Sequence, residues 1–453
     1  GTSDLYIVVF NPLNWVRNDI LELYAEVPYS GYEVDGEPVV VEEVKDYPHF
    51  RPKRLLKLKL LAKGVLPLGF TTLKLSKKSS IDTVKVFNNK NRIENEFFVV
   101  EAERGVLNII DKLNNMVYKN ILVDEGDVGD EYNFSPPYTQ RIYTSEDLPS
   151  NISSEESPLY SCLRISYNMK IPKALEDDKR SEELVDLPVS IKVYLYKGIK
   201  RIDVKLNLEN KAKDHRLKLL FKTGLKAEKS YADTHFYVIE RNANLPSGEG
   251  WAERPSGDYP MLRWVCVSDG EKGLTISTHG LHEYNLEPNG NLYITLLRSV
   301  GYLSREKLLT RPSLAGPLLA TPEAQCIGNY EFSYSIIPHK GDWREAYKEA
   351  INFSLPLIGI VTDYHEGDIK PKGSMLDLKP DSLHVTCIKK GEYDDSVILR
   401  FYDNAGLGGK INIKAGLIKL EKFERVKLSE ESLEKEELDY RPWEIVTFKL
   451  FTK

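Results

Sequence analysis

Two adjacent segments alternate apolar and polar residues with a period of two, and this pattern constrains the fold more than any other feature of the sequence. Residues 189–195 carry Val, Ile, Val and Leu at the odd positions, and residues 202–209 carry Ile, Val, Leu and Leu at the even positions. Such alternation fits a strand with one buried face and does not fit an amphipathic helix. Lys197 and Gly198 supply a turn between the segments. The sequence therefore predicts an antiparallel hairpin here.

Short strand-like runs recur along the rest of the chain. They lie at 5–10, 55–61, 97–101, 274–278, 292–297, 397–402 and 411–420. Clusters of Gly, Pro, Asn and Asp separate them, as expected for turns between strands. This succession of short strands predicts an all-β fold built from sandwiches.

One clear helix interrupts the strand pattern. Asp342 can cap its start, and Glu345 three residues later completes a capping box. The apolar stripe of this predicted helix consists of Trp343, Ala346, Tyr347, Ala350 and Ile351. A second, acidic segment at 429–438 fits either a weakly amphipathic helix or a solvated connector.

The length of 453 residues allows about three domains. A polar break at 77–80 and a turn-rich segment at 367–381 suggest where they join. We therefore predict a small β-sandwich domain at 1–80, a large β-domain at 81–355 and a C-terminal β-sandwich domain at 356–453.

The charge balance argues against a nucleic-acid or membrane partner. The chain has 62 Lys and Arg against 68 Asp and Glu, a net charge of −6, so it has no global field that attracts polyanions. Its longest strongly apolar stretch, 355–361, is far shorter than the roughly 18 residues of a membrane-spanning helix.

The ends of the chain and its cysteines suggest its context. Cys162, Cys266, Cys326 and Cys387 are too widely spaced for a disulfide scaffold or a structural zinc site, so we predict reduced, buried thiols. The first three residues, Gly-Thr-Ser, resemble a cloning remnant and show no signal peptide. We expect the chain to be one piece of a longer, cytoplasmic polypeptide.

The segment 126–137, GDVGDEYNFSPP, has the composition of a sugar-binding loop. Carboxylates and amides exchange hydrogen bonds with hydroxyls, and aromatic faces cover the C–H side of a pyranose. Spacing alone favours a solvated turn with two buried aromatics. Asp127 and Asp130 form the only close acid pair in an aromatic setting, and nothing in the sequence marks them as the two carboxyl groups of a glycosidase.

A series of landmarks in fixed order adds a family resemblance. They lie at 9–15 (VFNPLNW), 93–98 (IENEFF), 110–112 (IDK), 126–137, 210, 214–217 (DHRL), 240–241 (ER), 297–305 (LRSVGYLSR), 321–325 (TPEAQ), 338–343 (PHKGDW), 378–380 (LKP) and 443–447 (WEIVT). Taken together, these landmarks resemble the C-terminal half of the family 38 glycoside hydrolases, the retaining α-mannosidases, especially their bacterial and archaeal branch.

The resemblance implies that this chain supports catalysis performed elsewhere. In that family a zinc-dependent catalytic domain lies upstream, and the large β-domain is a galactose-mutarotase-like supersandwich flanked by smaller β-sandwiches. No segment here matches the family's zinc ligands or catalytic acids, so no catalytic or metal residue is assigned and the chain alone is predicted to be inactive. Its implied partners are the catalytic domain of the same polypeptide and an α-mannoside substrate, and assembly with identical chains stays open.

The resemblance also nominates substrate-binding residues. Tyr132 is the best match to a side chain that the family's β-domain contributes to the sugar pocket, and Asp130 belongs to the same motif. Arg298 and Arg305 lie where the family shows an arginine, with a structural salt bridge as the alternative role of each. The 214–217 motif is assigned to support of a β-corner.

Two other functions stay open at this point. One is a free-standing carbohydrate-binding or accessory subunit. The other is an aldose epimerase that uses His235 and Glu240 as acid and base. Five residues apart on one strand, these two side chains would point to opposite faces, which disfavours the epimerase.

Overall fold

Antiparallel strands form nearly all of the regular structure, which confirms the predicted all-β class. The computed structural model describes residues 4–28, 31–44, 54–78, 84–433 and 437–452. Within these ranges the helices are a single α-helix, α1 (Tyr347–Ser354), and two short 3₁₀ turns, Pro322–Gln325 and Trp343–Glu345.

The first strands build an N-terminal sandwich. They are β1 Leu5–Asn11, β2 Arg17–Val27, β3 Tyr32–Val34, β4 Glu37–Pro38, β5 Val40–Glu43, β6 Arg54–Val65 and β7 Gly69–Lys77. One sheet has the order β1-β7-β3-β4 and the other has the order β2-β6-β5. Buried Val, Leu and Ile side chains, among them Ile7, Leu21 and Leu58, fill the space between the sheets.

The middle of the chain forms the predicted supersandwich of two large sheets. Its strands are β8 Lys85–Asn88, β9 Arg92–Glu94, β10 Phe98–Glu103, β11 Val106–Asp111, β12 Met116–Gly126, β13 Tyr143–Thr144, β14 Asn151–Glu156, β15 Tyr160–Pro172, β16 Leu175–Glu176, β17 Lys179–Arg180, β18 Leu184–Tyr196, β19 Ile202–Asn210, β20 His215–Lys222, β21 Lys229–Thr234, β22 Tyr237–Asn242, β23 Asp258–Pro260, β24 Trp264–Ser268, β25 Lys272–His279, β26 Glu283–Leu286, β27 Asn291–Ser299 and β28 Gly328–Lys340. The nine-stranded sheet has the order β23-β26-β27-β20-β12-β11-β10-β9, with β13 beside β12. The ten-stranded sheet has the order β22-β21-β24-β25-β28-β19-β18-β15-β14-β8.

The last strands return to the N-terminal sandwich before they form a third unit. They are β29 Ile358–Asp363, β30 Lys372–Ser374, β31 Leu376–Lys379, β32 Leu383–Lys390, β33 Val397–Asp403, β34 Gly409–Lys410, β35 Asn412–Ala415, β36 Leu420–Val426, β37 Asp439–Tyr440 and β38 Ile445–Thr452. β29 pairs with β1, and β30 pairs with β7. β31–β38 form the C-terminal sandwich around its own core. The predicted domain ranges stay predictions, and the first sheet draws strands from both sides of residue 355.

The hairpin predicted from alternation is confirmed. β18 pairs antiparallel with β19, with Val193 opposite Val204. Burial along β19 alternates without a break, so its apolar side chains enter the core between the two large sheets and its polar ones face outward. All four cysteines are free as predicted; Cys162 and Cys266 are buried, whereas the other two are only half-buried.

The predicted helix starts differently from the expected capping box. The Asp342 carboxylate accepts a hydrogen bond from the backbone N–H of Arg344 at 2.8 Å, and a 3₁₀ turn precedes α1. Glu345 is part of that turn. The alternative helix at 429–438 is absent from the described residues of that segment, which bridge to Val426 instead.

A buried guanidinium joins the N-terminal sandwich to the supersandwich and to α1. Arg201, 4% exposed, lies 2.7 Å from Asp19 on β2, 3.0 Å from Asp203 on β19 and 2.5 Å from Glu349 on α1. Arg17 also binds Asp19. Burial opposes ionisation, but the surrounding carboxylates hold the pKa of Arg201 well above its usual value, so the guanidinium is permanently charged.

A buried lysine also stabilises the contact between the N-terminal sandwich and the supersandwich. Lys59 of β6, almost fully buried, forms a 2.8 Å ion pair with Glu22 and inserts between three tyrosine rings of the supersandwich. Its ammonium lies 5.2, 4.6 and 5.7 Å from the ring centres of Tyr160, Tyr194 and Tyr196. Cation–π attraction in a desolvated cage is worth about 2 kcal/mol, so the N-terminal sandwich is held firmly on the outer face of the ten-stranded sheet.

The C-terminal sandwich attaches through aromatic and polar contacts. Trp343 stacks between Trp264 of the supersandwich and Trp443 of the C-terminal sandwich, with ring centres 5.7 and 6.1 Å apart. Nearby, Arg263 donates a 3.1 Å hydrogen bond to Nε2 of His384. Burial and the Arg263 charge lower the pKa of His384 to about 3, so the buried imidazole is neutral.

Replacing Arg201 by Met should destabilise the protein by about 3–5 kcal/mol, because the buried Asp19 and the half-buried Asp203 and Glu349 would lose their shared cation. Urea denaturation followed by tryptophan fluorescence measures this loss. The matched control is Arg92→Met, because Arg92 also pairs with two carboxylates but at an exposed site. We expect a much smaller loss there, because solvent screens an exposed pair. Equal losses in the two variants would contradict the structural role of Arg201.

Lowering the pH should reduce the stability of the C-terminal sandwich, which contains His384. The unfolded histidine binds a proton below its ordinary pKa of about 6.5, whereas the native one stays neutral, so stability falls as the pH drops from 7 toward 3. Between pH 7 and pH 5 this residue should account for about 2 kcal/mol. His384→Gln should lose less stability than the wild type over that interval in thermal melts, while the exposed-site control His365→Gln should follow the wild type. A parallel pH response in His384→Gln would contradict this assignment.

Candidate functional site

Three loop segments meet at one end of the nine-stranded sheet. β12 and β27 flank β20, and Gly126, His215 and Ser299 form one cross-strand row at the edge where β12 and β27 end. The segments that follow these two strands therefore leave the sheet side by side. We call the segments 127–137, 248–258 and 300–321 the loop cluster, because hydrogen bonds join them, such as Glu131 N–H to the Tyr302 carbonyl at 3.2 Å.

Asp127 organises the base of the first loop. Its fully buried carboxylate accepts hydrogen bonds from the backbone N–H groups of Gly129 at 2.8 Å and Ser135 at 3.2 Å, and from Arg298 Nε at 2.8 Å. A Cβ on Gly129 would lie 2.0 Å from the carbonyl oxygen of Asn133, so this tight turn accommodates only glycine. Each carboxylate oxygen of Asp127 is thus committed within the loop.

Asp130 fixes the centre of the same loop. One carboxylate oxygen accepts from the N–H groups of Tyr132 at 3.0 Å and Asn133 at 2.9 Å. The other accepts from the N–H of Arg305 at 2.7 Å and from the guanidinium of Arg311. Asp130 is fully buried and holds the backbone of Tyr132, and its predicted contact with a substrate stays a prediction.

The pKa values of the two acids are shifted in opposite directions. Burial raises the pKa of Asp127, and the attraction of Arg298 and Arg216 does not offset it. Burial acts in the same direction on Asp130, but hydrogen bonds from Asn133 and Arg305 lower its pKa below the ordinary value. Because the carboxylates of Asp127 and Asp130 are buried and hydrogen-bonded within the loops, they do not form the facing, accessible acid pair of a glycosidase.

Tyr132 projects from this fixed base. Its side chain is 53% exposed, although its own backbone N–H is bound by Asp130. The ring lies against the backbone of Gly316, where an added Cβ would be 2.8 Å from the tyrosine oxygen. The solvated turn expected from spacing alone is therefore half right: Phe134 is half-buried, and Tyr132 is presented to solvent.

The two predicted arginines, Arg298 at the end of β27 and Arg305 in the segment 300–321, both bind the first loop. Arg298 pairs with Asp127 and donates to the Asp130 carbonyl at 3.0 Å. Arg305 donates to the Val128 carbonyl at 3.0 Å and pairs with Asp178 at 3.1 Å. The structural alternative predicted for these residues is confirmed, and their binding of a substrate stays a prediction.

The 214–217 motif supports the corner as predicted. His215 is fully buried, with Nδ1 2.6 Å from Asp124 and Nε2 3.1 Å from the side-chain oxygen of Asn210. Arg216 pairs with Glu125 at 2.7 Å, and its guanidinium stacks 3.5 Å from the ring centre of Phe134. These buried contacts fix the first residues of β20 beneath the loop cluster.

Sequence reasoning missed two residues of the site. Arg311 reaches Asp130 and also donates to Asn133 Oδ1 at 2.8 Å, and Gly316 makes room for the Tyr132 ring. Both lie in the 300–321 segment, far along the chain from their partners. No local pattern in the sequence marks them, because only the pairing of β12 and β27 with β20 brings the two segments together.

The epimerase candidates do not converge. His235 lies in the connection between β21 and β22, so the two residues do not share one strand as expected. Glu240 on β22 pairs with Lys229 at 2.6 Å.

Metal and membrane features can be stated for the described ranges only. There, no group of three or more His, Cys, Asp or Glu side chains is arranged to hold a metal ion, so these residues do not fit the zinc that the family resemblance implies. No described helix has the length and apolarity to cross a membrane.

Asp130→Asn should loosen the first loop selectively. The change removes the charge that binds Arg311 and leaves backbone N–H groups facing an amide, so amide exchange in 127–137 should become at least tenfold faster, about 1.4 kcal/mol of local stability. Hydrogen-exchange mass spectrometry measures it. The control Asp147→Asn changes an exposed loop acid that also pairs with an arginine. Unchanged protection in Asp130→Asn would contradict the positioning role.

Comparison with known proteins gives this geometry a family. Residues 93–304 match the glycosyl hydrolases family 38 C-terminal domain, and residues 382–448 match the glycosyl hydrolases family 38 C-terminal beta sandwich domain. A protein of Halalkalibacterium halodurans that carries the provisional name mannosylglycerate hydrolase is 30% identical over 386 residues, which cover 79% of this chain and 41% of that protein.

Solved structures show the same fold. An α-mannosidase from Enterococcus faecalis V583 superposes with a TM-score of 0.82 at 24% identity, over 100% of this chain and 56% of that one. A family 38 glycosyl hydrolase structure from Enterococcus faecalis gives a TM-score of 0.82 at 23% identity, over 100% and 58%. This chain thus spans about half the length of the proteins it matches or less. By its two family matches, over residues 93–304 and 382–448, the chain belongs to the C-terminal region of glycosyl hydrolase family 38.

Proposed function

We propose that this chain is the supporting β-portion of a cytoplasmic α-mannosidase that hydrolyses terminal α-mannosides with retention of configuration. The loop cluster rims the sugar pocket, and the catalytic acids and the zinc come from a catalytic domain outside this chain. The family match and the names of the relatives, a mannosidase and a mannosylglycerate hydrolase, support this class of substrate.

The observation that carries the proposal is the presentation of Tyr132. A half-exposed aromatic ring stands on a loop whose base is fixed by two buried carboxylates and three arginines. Immobilising a loop costs conformational entropy, and a turn that only joined two strands would not need so many buried charges. The arrangement is typical of a contact residue held in advance in its binding position.

The chemistry of the rim suits a pyranose. The Tyr132 ring offers an apolar face to the C–H side of a sugar, and its hydroxyl can exchange a hydrogen bond with a sugar hydroxyl. Arg298 and Arg305 are partly exposed beside it, so their remaining N–H groups can donate to sugar oxygens. Retention requires two carboxyl groups about 5–5.5 Å apart, and we assign them to the catalytic domain because Asp127 and Asp130 are committed.

Exposed apolar side chains support a neighbouring domain at this end of the molecule. Those in the loop cluster that are at least 40% exposed are Tyr132, Trp251, Tyr302, Leu314, Leu318 and Leu319. Large apolar groups concentrated in one region of a soluble protein usually mark a contact surface. We infer that the catalytic domain covers this rim and encloses the sugar between itself and Tyr132.

In the full-length enzyme, Tyr132→Ala should lower kcat/KM for an aryl α-mannoside about tenfold or more, because the ring contact with the sugar is lost, while the melting temperature stays within about 1 °C. Steady-state kinetics and differential scanning calorimetry measure the two effects. Tyr138→Ala is the matched control, since Tyr138 is 82% exposed and lies just beyond the same loop. Unchanged kinetics in Tyr132→Ala would remove Tyr132 from the site.

Gly316→Ala tests the same contact without deleting the ring. The new methyl group must displace the Tyr132 hydroxyl, so kcat/KM should fall by a smaller factor than in Tyr132→Ala while the fold is retained. In the Tyr132→Ala background the second change should have no further effect. Additive losses in the double variant would show that Gly316 acts independently of Tyr132.

This chain alone should not hydrolyse an aryl α-mannoside, with or without added zinc. Release of the aryl group is followed by absorbance, with the full-length enzyme as the positive control. Zinc-dependent turnover by the chain alone would overturn the division of roles proposed above.

A further inference from the structure

The ten-stranded sheet carries a second candidate site, on the face that points away from the core. Along β18 and β19 the outward side chains near Tyr194 and Asp203 are covered by the N-terminal sandwich, through the Lys59 and Arg201 contacts. Further along the same strands this face is uncovered. There the sheet forms a trough of about 830 Å³, continuous with a second hollow of about 510 Å³.

A row of hydrogen-bonding side chains, uncharged except for Glu331 at its end, crosses the floor of the trough. The strand registers pair Asn151 with Ser166, Ser166 with Ser190, and Ser190 with Asn207, and the row ends at Glu331. Neighbouring strands lie about 4.8 Å apart, so five strands place these groups over roughly 19 Å. The row is therefore long enough to follow a short chain-like ligand.

These side chains are not committed to the fold. In the part of the chain that the structure describes, none of the five makes a hydrogen bond or an ion pair with another residue. The adjoining row on the same face differs, since Arg164 pairs with Glu155 at 2.5 Å and Lys205 lies 3.9 Å from Glu22. Arg164 and Lys205 thus lie near opposite charges, whereas the row from Asn151 to Glu331 keeps its donors and acceptors free.

The composition of the trough selects a class of ligand. Amides and hydroxyls both donate and accept, which matches the hydroxyl groups of a sugar. Tyr167 and Tyr330 border the trough but pack toward the core, so no aromatic platform is presented to a nucleobase. Pro149 and Pro188 add small rigid apolar surfaces beside the polar row.

We propose that this trough binds an uncharged, hydroxyl-rich oligosaccharide at a site separate from the loop cluster. The trough lies on the ten-stranded sheet, whereas Tyr132 stands at the end of the nine-stranded sheet, so the two sites use different residues. The proposal does not depend on the function proposed above. Through this site the chain contacts several consecutive sugar units of a glycan and not its terminal sugar.

Ligand-observed saturation-transfer NMR on the whole chain tests it, with α-linked mannotriose and maltotriose as probes. We expect at least one of them to bind with a Kd in the millimolar range, as suits an open polar surface. The double variant Ser190→Val/Asn207→Leu should weaken binding at least tenfold at an unchanged melting temperature. Asn412→Leu is the matched control, because Asn412 is also an exposed strand asparagine but lies in the C-terminal sandwich.

Each outcome decides the proposal. Binding that the double variant loses and Asn412→Leu retains supports it. The absence of binding by both trisaccharides at millimolar concentration, or binding that the double variant retains, overturns it. Binding that is lost in Tyr132→Ala and kept in the double variant would place the trisaccharide at the loop cluster, which overturns the trough site and leaves the function proposed for Tyr132 intact. Asn207→Arg, which fills the trough with a larger side chain, repeats the test if the double variant does not fold.

Discussion

The buried charge of Arg201 determines how the parts of this molecule fit together. The guanidinium pairs with carboxylates on β2, β19 and α1. A second buried cation, Lys59, lies among tyrosine rings of the same sheet. A buried cation shared among three elements tolerates few alternative positions of those elements, because each misplaced carboxylate would be desolvated without a partner. The contacts of Arg201 and Lys59 therefore determine which part of the ten-stranded sheet is covered by the N-terminal sandwich and which part stays open as the trough.

The loop cluster uses the same physics on a smaller scale. Asp127 and Asp130 are buried among backbone N–H groups and arginines, and their hydrogen bonds stabilise one conformation of the turn. The group left exposed, Tyr132, carries little charge and needs only to be held still. Acids that are abundant in this region of the sequence are therefore structural, and the binding surface they support is aromatic.

The sequence predicted the elements whose signal is local. The alternation in β18 and β19, the helix near Asp342 and the turn chemistry of 126–137 are all encoded by neighbours along the chain. Ordered family landmarks extended this to the supersandwich, and the substrate role of Tyr132 stays a prediction. The partners of Asp130, the space at Gly316 and the Arg201 network could not be predicted, because each depends on contacts between residues far apart in the sequence. The predicted capping of α1 by Asp342 was wrong for a local reason, since Asp342 caps a 3₁₀ turn that precedes the α-helix.

The return of β29 to the first sheet bears on how this polypeptide matures during synthesis. Val8 on β1 faces Ile360 on β29, so a ribosome must release the whole supersandwich before the first sheet can close. Until then β1 presents an unpaired edge, a surface on which nascent chains aggregate. The first eighty residues therefore cannot close this edge of their own sheet, because the strand that covers it, β29, is made only after the supersandwich.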